Sequence, residues 1–172
     1  MNNQIGSRSG RHFLQVPGPT NVPDRIIRAM ARPTIDHRGP DFATLTLEIL
    51  PPLKRAFNTS GPVIIYPSSA TGGWEASISN TLSAGDKILM FDSGFFAGNW
   101  RNIAQKFGLD VELIDCDWRE GIDPDSVEEI LKADTSHTIK SVMMVHNETS
   151  SGVVNSVADV RKAMDNAEHP AL

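Results

Sequence analysis

Tyr66-Pro-Ser-Ser-Ala-Thr-Gly-Gly-Trp-Glu75 follows the apolar β-branched run Val63-Ile64-Ile65 and precedes an amphipathic segment with Trp74, Ile78 and Leu82 on one face. That order predicts a strand over 63–66, a tight loop, and a helix over 72–83. Small residues in such a loop let backbone N–H groups approach an anion closely, and the helix N-terminus adds partial positive charge. The simplest reading is a phosphate cup. Two well-known cups are excluded: no lysine follows the glycines, as a P-loop requires, and the G-x-G-x-x-G spacing of dinucleotide-binding turns is absent.

Downstream of this stretch the pattern becomes regular. Lys87–Phe91, Val111–Ile114 and Ile139–Val145 read as strands. Phe96–Phe107, Asp123–Lys132 (Pro124 in its first turn) and Ser156–Ala167 read as helices. Alternating strand and helix with short loops predicts an α/β fold, a three-layer α/β/α sandwich on a mainly parallel sheet with right-handed crossovers. Ligands of such sheets bind at the carboxyl ends of the strands. The loops there are Pro67–Gly73, Asp92–Gly98 and His146–Gly152. They offer in turn an anion cradle, an aromatic face and a set of hydrogen-bonding side chains. A phosphate, a flat ring and polar ring substituents match all three.

Upstream, residues 1–11 read as a flexible arm, and Phe13-Leu14-Gln15-Val16 leads into the turn-forming loop Pro17-Gly18-Pro19-Thr20-Asn21. Asp24–Arg32 carries Ile26, Ile27 and Met30 at helical spacing. Pro40–Asn58 repeats Leu45, Ile49, Leu53 and Phe57 every four residues, with a kink or break expected at Pro51-Pro52.

A net charge of -5 argues against a general nucleic-acid or anionic-membrane binder. No apolar run approaches the roughly 20 residues of a membrane span, and Met1–Arg11 lacks the apolar core of a secretory signal. The single Cys116 has no internal disulfide partner, which fits a reducing, cytoplasmic setting. Asp36-His37-Arg38 reads as a surface or subunit contact rather than a metal site, because one histidine has no spaced partner.

Five motifs occur in order: Pro17-Gly-Pro-Thr-Asn21, Asp36-His-Arg-Gly-Pro40, Ser69-Ala-Thr-Gly-Gly-Trp-Glu75, Gly85-Asp86 and His146-Asn-Glu-Thr-Ser-Ser-Gly152. In this the chain, over about residues 11–172, resembles the class V aminotransferases that use pyridoxal 5'-phosphate (PLP), most closely the serine–glyoxylate and alanine–glyoxylate branch. The resemblance implies a fold-type I large domain, with 1–21 as arm and Pro-Gly loop and 22–172 as an incomplete large domain. It implies transfer of an amino group from serine or alanine to glyoxylate or a similar small 2-oxo acid, in a homodimer when complete. It implies a cytoplasmic protein, or a peroxisomal one in a eukaryote.

By the same resemblance, Ser69, Ala70 and Thr71 hold the cofactor phosphate, Phe96 stacks on its ring, and Thr149 bonds near its phenolic oxygen. Gly18, Pro19 and Thr20 lie near the substrate. Ala70 departs from the glycine of many relatives and would be strained if that position needed positive φ. The covalent PLP lysine and the aspartate that keeps the ring nitrogen protonated follow Glu168-His-Pro-Ala-Leu172 in relatives, and none of the six lysines here stands in that context. The alternatives are a non-catalytic remnant, half of a split enzyme, or another class V PLP enzyme such as a cysteine desulfurase-like lyase. Relatives of that last kind carry a stacking histidine where this chain has Phe96.

Overall fold

A computed structural model describes residues 16–172. The expected arm and Phe13–Gln15 lie outside the described residues. The chain divides into two compact units, Met1–Ile65 and Tyr66–Leu172.

In the first unit, α1 (Asp24–Met30) starts after Pro23, with Asp24 in its first turn and Arg28 in its last, complementing the helix dipole. Helix α2 (Pro40–Ala56) begins with a proline after Gly39 and runs on through Pro51 and Pro52, so of the expected kink or break the break does not occur. The carbonyls those prolines leave without N–H partners belong to Leu47 and Glu48, both exposed, where water can satisfy them. Neither helix buries a residue. The strand expected over 63–66 is absent: this stretch is coil, with Ile64 and Ile65 69% and 67% exposed. A strand exists only through its ladder, and no described residue pairs with it.

The second unit is built on three parallel strands: β1 (Lys87–Asp92), β2 (Asp110–Asp115) and β3 (Ile139–Met143), in the order β2-β1-β3. Central β1 buries Ile88, Leu89, Met90 and Phe91 in succession. Strand side chains alternate between faces, so this run supplies two cores at once. Leu89 and Phe91 pack with Val127 and Leu131 of α5 (Pro124–Ala133) and Val160, Ala163 and Met164 of α6 (Val157–Asn166). Ile88 and Met90 pack with Ile78 of α3 (Ala70–Thr81) and Ala104 of α4 (Phe95–Lys106). The result is the expected three-layer sandwich, helices on both faces of a parallel sheet.

The starts of α5 and α6 are set locally. Asp123 accepts from Asp125 N at 3.1 Å at the head of α5, and Ser156 Oγ from Asp159 N at 3.2 Å at the head of α6. Beyond α6 the chain returns to the sheet. Leu172 N donates to Lys140 O (3.0 Å) and Val142 N donates to Leu172 O (2.9 Å), one rung of a parallel ladder on the outer edge of β3. Buried His169 holds this return. Its Nδ1 accepts from Ala171 N at 3.1 Å, so Nε2 carries the proton facing Asp134 Oδ2 at 3.3 Å.

Leu89 has no exposed surface. Leu89→Ala is expected to cost about 3 kcal/mol of unfolding free energy, read from urea midpoints at unchanged m-value. A loss below 1 kcal/mol would show that β1 is not the centre of the core.

Candidate functional site

Because the strands are parallel and β1 neighbours β3, the loops after them open on the same edge of the sheet. Ser93 and Gly94 join β1 to α4. After β3 the chain forms a short hairpin, β4 (Asn147–Glu148) with β5 (Val153–Val154), whose turn carries Thr149 and Ser150. The sequence pattern predicts only a loop here, because two-residue strands are below the length at which alternation is readable. Buried Asn155 fastens the hairpin: its Nδ2 donates to Val145 O (2.6 Å), its N to His146 O (2.7 Å), and its Oδ1 accepts from Ile122 N (2.9 Å).

Glu148 is the least expected member. Its carboxylate is buried and accepts four hydrogen bonds. Oε1 takes Phe96 N (3.4 Å), Ser150 N (3.1 Å) and Ser150 Oγ (2.6 Å), and Oε2 takes Ala97 N (3.0 Å). Ser150 Oγ accepts in turn from Phe95 N at 2.9 Å. The start of α4, whose own N-cap Gly94 has no side chain to offer, is thus capped from the other loop. Burial pushes the Glu148 pKa upward, but the bonds from Ser150 Oγ, Ala97 N, Ser150 N and Phe96 N outweigh it. The carboxyl lies below its ordinary value of 4.5. Two signals were available in the sequence: a helix start without a capping side chain, and one acid in an otherwise neutral polar loop.

Gly94 is bound to this arrangement. Its φ is +155°, and a Cβ there would stand 2.4 Å from Glu148 Cγ and 2.7 Å from Ser150 Oγ.

Helix α3 differs from its neighbours. Ser69 occupies its N-cap with extended backbone, makes no side-chain cap bond, and no acid lies in the first turn. Gly72 N donates to Ser69 O at 3.1 Å, and among the described residues this is the one helix start of the unit with no side-chain acceptor. Ala70 and Thr71 form the first helical residues, and Ala70 is not among the residues of positive φ, so its departure from glycine brings no strain. Gly72 admits no side chain, since a Cβ would sit 2.1 Å from Ser68 Oγ.

An aromatic cluster joins the heads of α3 and α4. Trp74 stacks on Trp100 at 5.7 Å and meets Phe96 edge-on at 6.5 Å, and Phe95 braces Phe96 at 5.5 Å. Phe96 is partly buried and Thr149 exposed. The backbone of Phe96 is held by the residue preceding Thr149. Ser93 Oγ and Trp100 Nε1 are buried without a hydrogen-bond partner among the described residues. Gly18, Pro19 and Thr20 are exposed in the first unit, where the Gly18–Pro19 peptide is cis.

The lysines of this unit lie elsewhere. Lys87 pairs with Glu112 at 2.6 Å at the start of β1, the opposite end of that strand from the loops. Lys132 pairs with Glu128, and Lys140 Nζ donates to His137 O. Lys106 ends α4, and Lys162 lies on the surface of α6.

A parallel sheet with helices on both faces is the architecture this chain shares with fold-type I PLP enzymes. Comparison with known proteins narrows this. The family model for class V aminotransferases matches residues 12–170. A serine–glyoxylate aminotransferase of Methylorubrum extorquens is 48% identical over 166 residues, covering 96% of this chain and 41% of the relative. An L-aspartate–glyoxylate aminotransferase of Paracoccus denitrificans is 46% identical over 158 residues, 91% of this chain and 40% of its own. The structure of ureidoglycine–glyoxylate aminotransferase from Bacillus subtilis superposes with a TM-score of 0.82 at 26% identity, over 96% of this chain and 42% of that one. This chain belongs to the class V aminotransferases, a PLP-dependent family. It spans about two fifths of the length of the curated relatives it matches.

The residues present fit that cofactor's phosphate. A dianion needs N–H and O–H donors without a competing carboxylate, and the head of α3 provides backbone amides, the Ser69 and Thr71 hydroxyls, and no acid in its first turn.

Two outcomes follow from the Glu148 cluster. Gly94→Ala is expected to cost more than about 2 kcal/mol, because it adds strain to a steric clash. Urea midpoints check it, and a change under 0.5 kcal/mol would refute the packing described. A carboxyl whose folded pKa is lowered contributes stability that is complete above 4.5 and is lost as the pH falls through its lowered value. The stability gap between wild type and Glu148→Gln should therefore be widest at neutral pH and close under acid. A gap independent of pH would mean that the charge is not what holds the loop.

Proposed function

We propose that this chain forms the cofactor-phosphate and ring-stacking part of a PLP-dependent aminotransferase. The reaction moves an amino group from serine or alanine to glyoxylate or a similar small 2-oxo acid. The observation that carries the reading is the head of α3, which alone among the helix starts of its unit has no side-chain acceptor among the described residues. Glyoxylate as acceptor is supported by the names of the relatives, in which it recurs.

PLP, when bound, supplies an electron sink for the substrate carbon. The chain's own residues bind and orient it. The amides of Ala70 and Thr71, with the Ser69 and Thr71 hydroxyls, hold the phosphate. Phe96, braced by Phe95 and Trp74, covers one ring face and keeps water from it. Thr149 donates near the phenolic oxygen. Gly18, Pro19 and Thr20 border the substrate. In this reading residues 1–21 form the arm and loop, residues 22–172 belong to the large domain, and the complete enzyme is a homodimer. The lysine that carries the chemistry is none of those described above.

Ala70→Pro tests the reading directly. Proline is well accommodated at the first helical position, and the extended backbone of Ser69 suits a following proline. The substitution removes one N–H donor and leaves the helix intact. Affinity for PLP and for inorganic phosphate should fall about tenfold, one charge-assisted hydrogen bond, at unchanged melting temperature. Calorimetric titration measures both. Unchanged affinity would sink the reading. For the reaction itself, a complete protein carrying this chain should transaminate serine or alanine with glyoxylate and release no sulfide from cysteine.

A further inference from the structure

We propose that Glu148 is the positioning residue for the cofactor ring, an internal anion that occupies the head of α4 and locks the backbone of Phe96 to the turn carrying Thr149. The proposal rests on the PLP reading above and extends it to a residue that touches neither phosphate nor ring.

Two helix heads meet at this edge of the sheet, joined by the Trp74–Phe96 contact at 6.5 Å. Each by itself would attract an anion, and a ligand bearing a phosphate could settle on either. The structure resolves the ambiguity. At α4 the amides of Phe96 and Ala97 are spent on Glu148 and that of Phe95 on Ser150 Oγ. The carboxylate also repels a second anion, and Gly94 is packed so closely against it that a Cβ would clash. At α3 no internal anion competes. Glu148 thereby fixes the polarity of the ligand, with the phosphate on α3 and the ring toward Phe96.

The same carboxylate ties together the two residues that would contact the ring. Oε1 accepts from Phe96 N on one side and from Ser150 N and Oγ on the other, and Thr149 lies between Glu148 and Ser150. A carboxylate is required because every partner is a donor. In the Glu148→Gln variant one of the two oxygens becomes an NH2 group facing an N–H, either at Ala97 or at Phe96 and Ser150. The two loops would then lose their common anchor while the head of α3 stays untouched.

Wild type, Glu148→Gln and Ser150→Ala are titrated with PLP and, separately, with inorganic phosphate, with far-UV circular dichroism as the check on folding. Inorganic phosphate reads the α3 cradle alone. PLP reads cradle plus ring, and its induced circular dichroism reads ring orientation. Glu148→Gln should bind phosphate as wild type does, bind PLP about tenfold more weakly, and lose most of the induced signal. Ser150→Ala should show a smaller change of the same pattern, and it decides the matter by the same criteria if Glu148→Gln does not fold. Wild-type PLP affinity and signal in both variants would overturn the proposal and leave the cofactor reading standing. Equal loss of phosphate and PLP affinity would overturn it by showing a merely structural role. If wild type binds neither probe, the cofactor reading fails and the proposal fails with it.

Discussion

The second unit depends on the double burial of β1. Four consecutive residues, Ile88 to Phe91, are removed from water on alternating faces. A strand in that situation needs helices on both sides and a strand on each edge, which β2 and β3 supply in parallel. Parallel neighbours require crossovers, and crossovers send every strand's carboxyl end to the same edge. The convergence of the site loops is a consequence of how the core is buried.

On that edge, electrostatics separates two equivalent features. Helices α3 and α4 both present N-termini there, and the fold treats them oppositely. One is closed by Glu148 and Ser150 from a loop about fifty residues away in sequence, and the other is left open. An uncapped helix start leaves amides unsatisfied, an arrangement that suits a ligand-binding position better than a structural one. The aromatic cluster of Trp74, Trp100 and Phe96 holds the two heads together, so that the open helix start and Phe96 lie side by side.

Where the sequence reading and the structure part, the causes are physical and local. The apolar run 63–66 has the composition of a strand but no partner among the described residues, and composition cannot supply a ladder. Pro51 and Pro52 have the composition of a break, yet the carbonyls they orphan are in water's reach and the helix continues. The β4–β5 hairpin is too short to show a period. The parallel core, by contrast, is legible to within a residue or two, because KILMF at 87–91 and the helical faces around it are long enough to show one.

By itself the sequence determined the alternation of strand and helix, the parallel sheet, the run of small residues Ser69–Gly73 that opens α3, and the family resemblance carried by five ordered motifs. These are properties of neighbours in the chain: periodicity, turn chemistry and capping. Only the tertiary structure decided that Glu148 serves α4 as well as its own loop, that Gly94 has no room for a side chain, and that the head of α3 remains without a side-chain acceptor. Hydrogen bonds between residues some fifty positions apart depend on how strands are ordered in the sheet, and strand order leaves no mark on local sequence.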